Sequence, residues 1–148
     1  MATAWDSSFR ASLAERVKRL TADARPAWGK MNATGMLAHI NDSYRMVLGD
    51  LPVKSKNLPI RFTPLKQLII YVAPFPKGAP TAPELLARCD RADLAEEQQA
   101  YVELLARIGA ITPATRLPPH PAFGTLTHRA YGVLIARHTD HHFRQFGL

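Results

Sequence analysis

Apolar residues recur at every third or fourth position in four stretches of the chain, the spacing that places them on one face of an α-helix. These stretches cover residues 8–24, 32–49, 92–108 and 127–146. Asp6 and Thr127 precede two of them as residues that favour helix starts, and Gly49 and Gly109 mark two of their ends. The pattern therefore predicts four long amphipathic helices.

The segments between these helices differ in character. Residues 51–80 are irregular and proline-rich, and Thr63-Pro64 can begin a short helix over residues 64–72, although the apolar run at 68–72 also fits a strand. Residues 110–126 form a second proline-rich connection, which is either a binding loop or, more simply, a rigid crossover. Four amphipathic helices with long crossover loops predict an all-α four-helix bundle, one domain over residues 1–148.

Composition narrows the class of protein. The chain has 148 residues, of which 47% are hydrophobic, enough for one domain with a real core. Its single cysteine, Cys89, cannot form an internal disulfide, which suits a reducing cytoplasm. The N-terminus lacks a signal-peptide pattern, and the longest apolar run, residues 68–73, is too short to span a bilayer. We expect a cytoplasmic protein without a membrane partner.

The charge is strongly basic, with a formal net value of +7. Such a balance favours anionic partners, nucleic acid among them. The cations are scattered, however, and no block of five or six Lys or Arg residues occurs. A basic, soluble surface is the simpler interpretation, and we expect no nucleic-acid partner.

Histidines provide the candidate chemistry. His138 and His142 lie four residues apart on the inward-facing stripe of the last helix, so both imidazoles can reach one metal ion. His39, on a mostly apolar stripe of the second helix, is the candidate third ligand. Spacing alone leaves the pair His138 and His141 open, and ordinary core hydrogen bonds would also satisfy buried imidazoles. Thr139 occupies the position where a zinc protease carries its catalytic glutamate, so that class is excluded.

Two further residues are candidates to orient the imidazoles. Asp42 lies three residues after His39, where its carboxylate could accept a hydrogen bond from an imidazole or could lie exposed at the edge of the stripe. Gln145 follows His142 by three residues on the last helix. Neither residue is a convincing general base, and catalytic residues cannot be assigned from the pattern.

Four motifs occur along the chain in an order that is found in a known superfamily. They are Trp28-Gly29-Lys30-Met31, Met36-Leu37-Ala38-His39, His120-Pro121-Ala122-Phe123-Gly124, and the run from His138 to Gly147. Together they resemble the DinB-like metal-binding four-helix-bundle superfamily, in a branch without an assigned activity. The resemblance covers most of the chain, is most specific at the last motif and is weak over residues 51–80.

The resemblance implies a three-histidine site. Its ligands would be His39, His138 and His142, which selects His142 over His141, and its cofactor would be a divalent ion, zinc, nickel or iron. It also implies frequent homodimers and, in some relatives, transfer reactions that use a low-molecular-weight thiol.

Three functions follow as hypotheses. The first is an enzyme that activates a thiol or water for transfer to, or hydrolysis of, a small-molecule substrate. The alternative is a non-catalytic metal-binding module, a sensor or a bundle stabilised by its ion. A nucleic-acid binder, suggested only by the charge, ranks last.

Overall fold

The computed structural model describes the whole chain, residues 1–148, and every regular element in it is helical. The helices are α1 (Ser7–Val17), α2 (Ala33–Leu48), α3 (Leu65–Tyr71), α4 (Leu94–Gly109) and α5 (His128–Gln145). Two 3-10 turns, Pro59–Arg61 and Pro83–Leu85, lie in the connections. The all-α prediction is confirmed. The short helix predicted over residues 64–72 is present as α3, and no strand forms there. None of these helices combines the length and apolar character that crossing a membrane requires.

Capping side chains explain where the long helices begin. Asn32, Asp93 and Thr127 each accept a hydrogen bond from the backbone N–H three residues later, which satisfies one of the free donors of the first turn. Gly49 ends α2 with a positive φ of 83°, a conformation that glycine adopts without steric cost. The predicted bounds of α2, α4 and α5 therefore agree with the structure to within two residues.

The prediction that the first helix continues to residue 24 is wrong, since α1 ends at Val17. The side-chain amide of Gln98, on α4, donates to the carbonyls of Val17 and Leu20 at 2.9 and 3.0 Å. Carbonyls at the end of a helix need such partners, and here α4 supplies them. The chain can therefore turn at this point while Leu20 stays buried in the core.

Four long helices enclose the main hydrophobic core. α2 packs between α4 and α5, and α1 covers α4. The core residues that are almost completely buried include Leu13, Val17, Met36, Leu37, Ile40, Tyr44, Tyr101, Ile108, Tyr131 and Phe143. α3 lies outside these four helices, where Ile70 packs against Val133 and Leu134 of α5. This arrangement places the inner faces of α2 and α5 against each other.

The long connection before α5 contains a tight turn. His120 and Gly124 exchange two backbone hydrogen bonds of 2.9 and 2.8 Å. The Nδ1 atom of His120 accepts from the backbone N–H groups of Ala122 and Phe123, so this imidazole stabilises the turn. Gly124 has a φ of 70°, and a Cβ there would lie 3.2 Å from the Arg61 guanidinium. These contacts support the interpretation of the segment as a rigid crossover.

Candidate metal centre

Three imidazoles meet where α2 faces α5. The Nε2 atom of His138 lies 3.1 Å from Nε2 of His39 and 3.2 Å from Nε2 of His142. One nitrogen from each ring falls within 4.8 Å of the others, and no cysteine, aspartate or glutamate joins the group. His39 and His142 are buried, whereas His138 is partly exposed. The structure thus brings together the three histidines that the sequence singled out.

The outer nitrogens of two rings are held by acceptors. Nδ1 of His39 lies 3.1 Å from the backbone carbonyl of Leu85, and Nδ1 of His142 lies 2.6 Å from Oε1 of Gln145. Since a carbonyl oxygen can only accept, each Nδ1 must carry the proton. A neutral imidazole has one N–H, so Nε2 of both rings presents a lone pair toward His138.

This arrangement leaves the centre short of protons. Two lone pairs converge on Nε2 of His138, which can donate at most one hydrogen bond when its ring is neutral. Three nitrogen ligands around a tetrahedral ion with bonds of 2.0–2.1 Å would lie about 3.3 Å apart. The observed nitrogen spacings of 3.1 and 3.2 Å are close to this value. The three histidines could therefore hold a metal ion.

Burial keeps the rings in the neutral form that binds metals. It is the main cause that lowers the pKa of His39, and it also lowers the pKa of His142 to about 3, with the neighbouring His39 adding to the effect. The pKa of His138 falls well below its usual value because of burial and then because of the nearby histidines. Metal ligands must be deprotonated to bind, so at neutral pH the donor set is ready for a cation.

The two candidates for orienting an imidazole have different outcomes. Gln145 holds His142, and its own Nε2 donates to the Trp28 carbonyl at 3.2 Å. The carboxylate of Asp42 instead accepts from Arg45 at 2.8 Å and from Arg88 at 2.9 Å. At His39 the backbone carbonyl of Leu85, rather than Asp42, holds the imidazole.

Neighbouring residues on α5 are placed outside the cluster. The ring of His141 lies at the edge of the centre, with its centroid 5.8 Å from those of Trp28 and Phe75. Thr139 is completely buried and shares a hydrogen bond of 3.0 Å with the hydroxyl of Tyr44. Tyr44 is thus occupied in a structural contact rather than directed at the imidazoles.

Sequence reasoning missed the Leu85 carbonyl and Arg88. Both belong to residues 81–90, whose sequence fits a turn of helix and a loop equally well. The structure has a 3-10 turn there, over Pro83–Leu85. Every residue has a backbone carbonyl, so no side-chain signal could have identified the partner of His39. Arg88 was one of many scattered cations, and only its ion pairs with two buried carboxylates distinguish it.

The fold and the site together define a class: a helical bundle with three histidines, from two facing helices, that could hold one metal ion. The family model of the DinB superfamily matches residues 7–146, which is nearly the whole chain. The chain therefore belongs to the DinB superfamily. No curated protein and no solved structure matches it.

Proposed function

We propose that His39, His138 and His142 bind one divalent ion, zinc, nickel or iron, in an enzyme of transferase or hydrolase type that activates a thiol or water. The observation that carries the proposal is the convergence of two imidazole lone pairs on a third imidazole in a buried site. Buried polar groups are ordinarily paired, and a cation is a partner that all three facing nitrogens could bind at once.

The form of the site supports chemistry over a purely structural role. Structural zinc sites are closed by four protein ligands, whereas catalytic sites use three and leave a position open. Here three histidines form the group, and His138 is the one that is partly exposed. A divalent ion bound in this way would lower the pKa of a coordinated water or deprotonate a coordinated thiol.

The chain's own groups would prepare this site. The Leu85 carbonyl and Gln145 fix the orientation of two imidazoles and keep the proton on Nδ1. Such outer partners increase the basicity of a histidine ligand. The alternative function, a sensor or structural module, would use the same ligands and differ only in lacking turnover.

Metal analysis of single variants tests the ligand set. We expect the purified protein to contain one divalent ion and His39→Ala, His138→Ala and His142→Ala to lose it, with affinity reduced at least 10–100-fold, the typical effect of losing an outer partner alone. The controls His120→Ala and His128→Ala should retain the ion. His141→Ala is the closest control, and loss of metal there with retention in His142→Ala would show that the assignment is wrong by one position.

Turnover separates the enzyme from the alternative. The metal-loaded protein should consume small electrophiles in the presence of a low-molecular-weight thiol, or hydrolyse them, and the His138→Ala variant should not. Full metal content without either reaction would favour the sensor or structural module.

The partners of the protein are proposals of the same kind. We propose a small-molecule substrate, a low-molecular-weight thiol as the second reactant, and a homodimer as the assembly. Sedimentation that shows only monomer at tens of micromolar would remove the dimer. Salt-sensitive micromolar binding to nucleic acid would overturn the view that the scattered positive charge has no such partner.

A further inference from the structure

Two loops border the three-histidine cluster, and neither contains a carboxylate. The first, the Trp28 loop, comprises residues 24–32, and the second, the Phe75 loop, comprises residues 73–80. Lys77 belongs to the second loop, and no Asp or Glu occurs anywhere in residues 51–82. A region that carries charges of one sign attracts ligands of the opposite sign.

Aromatic rings from both loops reach the histidines. Phe75 lies edge-on to His138 and His141, with ring centroids 6.3 and 5.8 Å away. Trp28 lies edge-on to His141 at 5.8 Å, and the Nζ atom of Lys77 lies 4.7 Å from the centroid of the indole ring. Phe75 thus lies beside the partly exposed His138, and the Trp28 ring, with the Lys77 ammonium over it, lies beside His141.

Both loops are held in place by α5. Arg137 donates to the carbonyl of Ala73, the first residue of the Phe75 loop, and its guanidinium lies 5.2 Å from the centroid of Phe75. The backbone carbonyl of Gln145 accepts from the backbone N–H of Ala27, and the side-chain amide of Gln145 donates to the carbonyl of Trp28. The same Gln145 holds His142, so the Trp28 loop and the metal centre share one support.

Glycine is required within this contact. Gly29 has a φ of 88°, and a Cβ built there would lie 2.8 Å from the side-chain nitrogen of Gln145. A larger residue would be strained and would displace Gln145. The close approach of the Trp28 loop to α5 is therefore a specific feature of this sequence.

Hydrogen-bond donors in this region lack acceptors. The indole N–H of Trp28 is buried without a partner, which is uncommon for a buried N–H group. Lys77 is exposed and faces the indole ring rather than a carboxylate. The nearest acid to His141 is Asp140, whose carboxylate is already bound by Arg16 and Arg144 at 2.9 and 2.8 Å.

We propose that Trp28, Phe75, Lys77 and His141 form a binding subsite for a small organic carboxylate, adjacent to the three histidines. The Lys77 ammonium would bind the carboxylate, and the two aromatic rings would pack against the apolar part of the molecule. A free inorganic phosphate, which is strongly hydrated and has no apolar part, fits such walls poorly. As a substrate subsite it rests on the proposed function, but carboxylate binding itself does not require the metal.

The two tryptophans provide the test. The indole N–H of Trp5 donates to the carbonyl of His128 at 3.0 Å, whereas that of Trp28 has no partner, so their nitrogen-15 NMR signals report on two different places. We expect titration of the metal-loaded protein with benzoate to shift the Trp28 signal and to leave the Trp5 signal unchanged. Benzamide, the neutral isostere, and inorganic phosphate should shift neither. The Trp28→Phe variant assigns the two signals.

Lysine variants test the charge. Loss of a hydrogen bond to a charged group should weaken binding about tenfold in Lys77→Met. The matched control is Lys18→Met, since Lys18 is exposed, pairs with Glu15 and lies outside both loops. Equal binding of benzamide and benzoate, an unshifted Trp28 signal, or full affinity in Lys77→Met would each overturn the subsite.

Removing the metal distinguishes this proposal from the proposed function. Protein stripped with a chelator, with its helical content checked by circular dichroism, should still give the benzoate-dependent shift of Trp28. If the protein never contains stoichiometric metal but shows the Lys77-dependent shift, the subsite holds and the proposed metal centre fails. If metal is bound and benzoate leaves Trp28 unchanged, the metal centre holds and the subsite fails.

Discussion

Two polar clusters begin three residues apart on α2 and differ in how their hydrogen bonds are satisfied. The first contains His39, and the second contains Asp42 with Arg88 and Glu97. In the second, Arg88 bonds to both carboxylates, Arg45 adds a bond to Asp42, and Asn41 donates to Glu97 at 2.6 Å. Buried negative charges there meet positive charges and donors, and only Oδ1 of Asn41 lacks a partner.

The histidine cluster shows the opposite balance. Its nitrogens face one another at 3.1 and 3.2 Å, and two of the three are lone pairs fixed by outer partners. A cluster that satisfies its own polar groups needs nothing further and stabilises the contact between α2 and the segment before α4. Two acceptors that face a nitrogen able to donate to only one of them leave the cluster incomplete, and a cation would complete it. Composition alone does not distinguish the two, because both are buried groups of titratable side chains.

The largest expected effect is a loss of stability when the arginine of the carboxylate cluster is removed. Arg88→Met leaves the carboxylates of Asp42 and Glu97, each only 5% exposed, without their shared cation. Breaking a buried ion pair in this way destabilises proteins by about 3–5 kcal/mol. Because Arg88 is partly exposed, we expect its variant to lose about 3 kcal/mol of unfolding free energy. Urea denaturation measures this loss, and the variant should keep its stoichiometric metal.

Two controls make the comparison sharp. Arg107→Met removes the same side chain from the exposed pair with Asp50 and should change stability by less than about 1 kcal/mol. His138→Ala should show the reverse pattern, losing metal while the stripped protein keeps nearly its original stability. The comparison breaks if Arg88→Met abolishes metal binding without destabilising the fold.

The next effect concerns which residue orients an imidazole. Gln145→Leu removes the acceptor that holds Nδ1 of His142, and loss of such a partner typically lowers metal affinity about 10–100-fold. Gln145→Glu retains an acceptor and should restore most of the affinity. Asp42→Asn should leave the affinity unchanged, since its carboxylate contacts arginines only. Competition with a metal-binding dye measures all three, and a loss confined to Asp42→Asn would contradict the structure.

The contrast between Gln145 and Asp42 also shows how much of the site could be predicted from the sequence. Helix positions followed from apolar periodicity and caps such as Asn32 and Thr127, because both signals are local. The phase of α5 placed His138 and His142 on one inward stripe. The same phase left His141 open, since only the position of α2 against α5 decides which ring faces His39.

Contacts made by residues without a pattern could not be predicted. Asp42 lies near His39 in sequence, yet its carboxylate bonds to Arg88, which is 46 residues further along the chain. Its segment has neither helical nor strand periodicity, so its path over α2 depends on the tertiary fold. The early end of α1 has the same origin, because the partner of its last carbonyls is Gln98 on another helix. Local patterns thus predicted most of the helices and the candidate histidines, while the partners of Asp42 and of the last carbonyls of α1 required the structure.

The smallest expected effect is a difference in pH dependence between the two clusters. In the metal-stripped protein the pKa of His142 is lowered by burial to about 3, whereas in the unfolded chain it returns to about 6.5. Between these values only the unfolded state binds the proton, so stability is full above pH 6.5 and falls as the pH decreases toward 3. From pH 6.5 to pH 5 this one histidine should cost about 1.5 kcal/mol.

The carboxylate cluster should respond only at lower pH. Burial raises the pKa of Glu97, but its bonds to Arg88 and Asn41 outweigh this and lower it below the ordinary 4.5. Its contribution is therefore present above that value and is lost only as the pH falls through the lowered pKa. Urea denaturation of the stripped protein at pH 6.5 and 5 should show a drop that is smaller by about 1.5 kcal/mol in His142→Gln. A stability that is constant from pH 6.5 to 5 in the stripped wild-type protein would mean that the histidines are not held neutral, and the distinction between the two clusters would then fail.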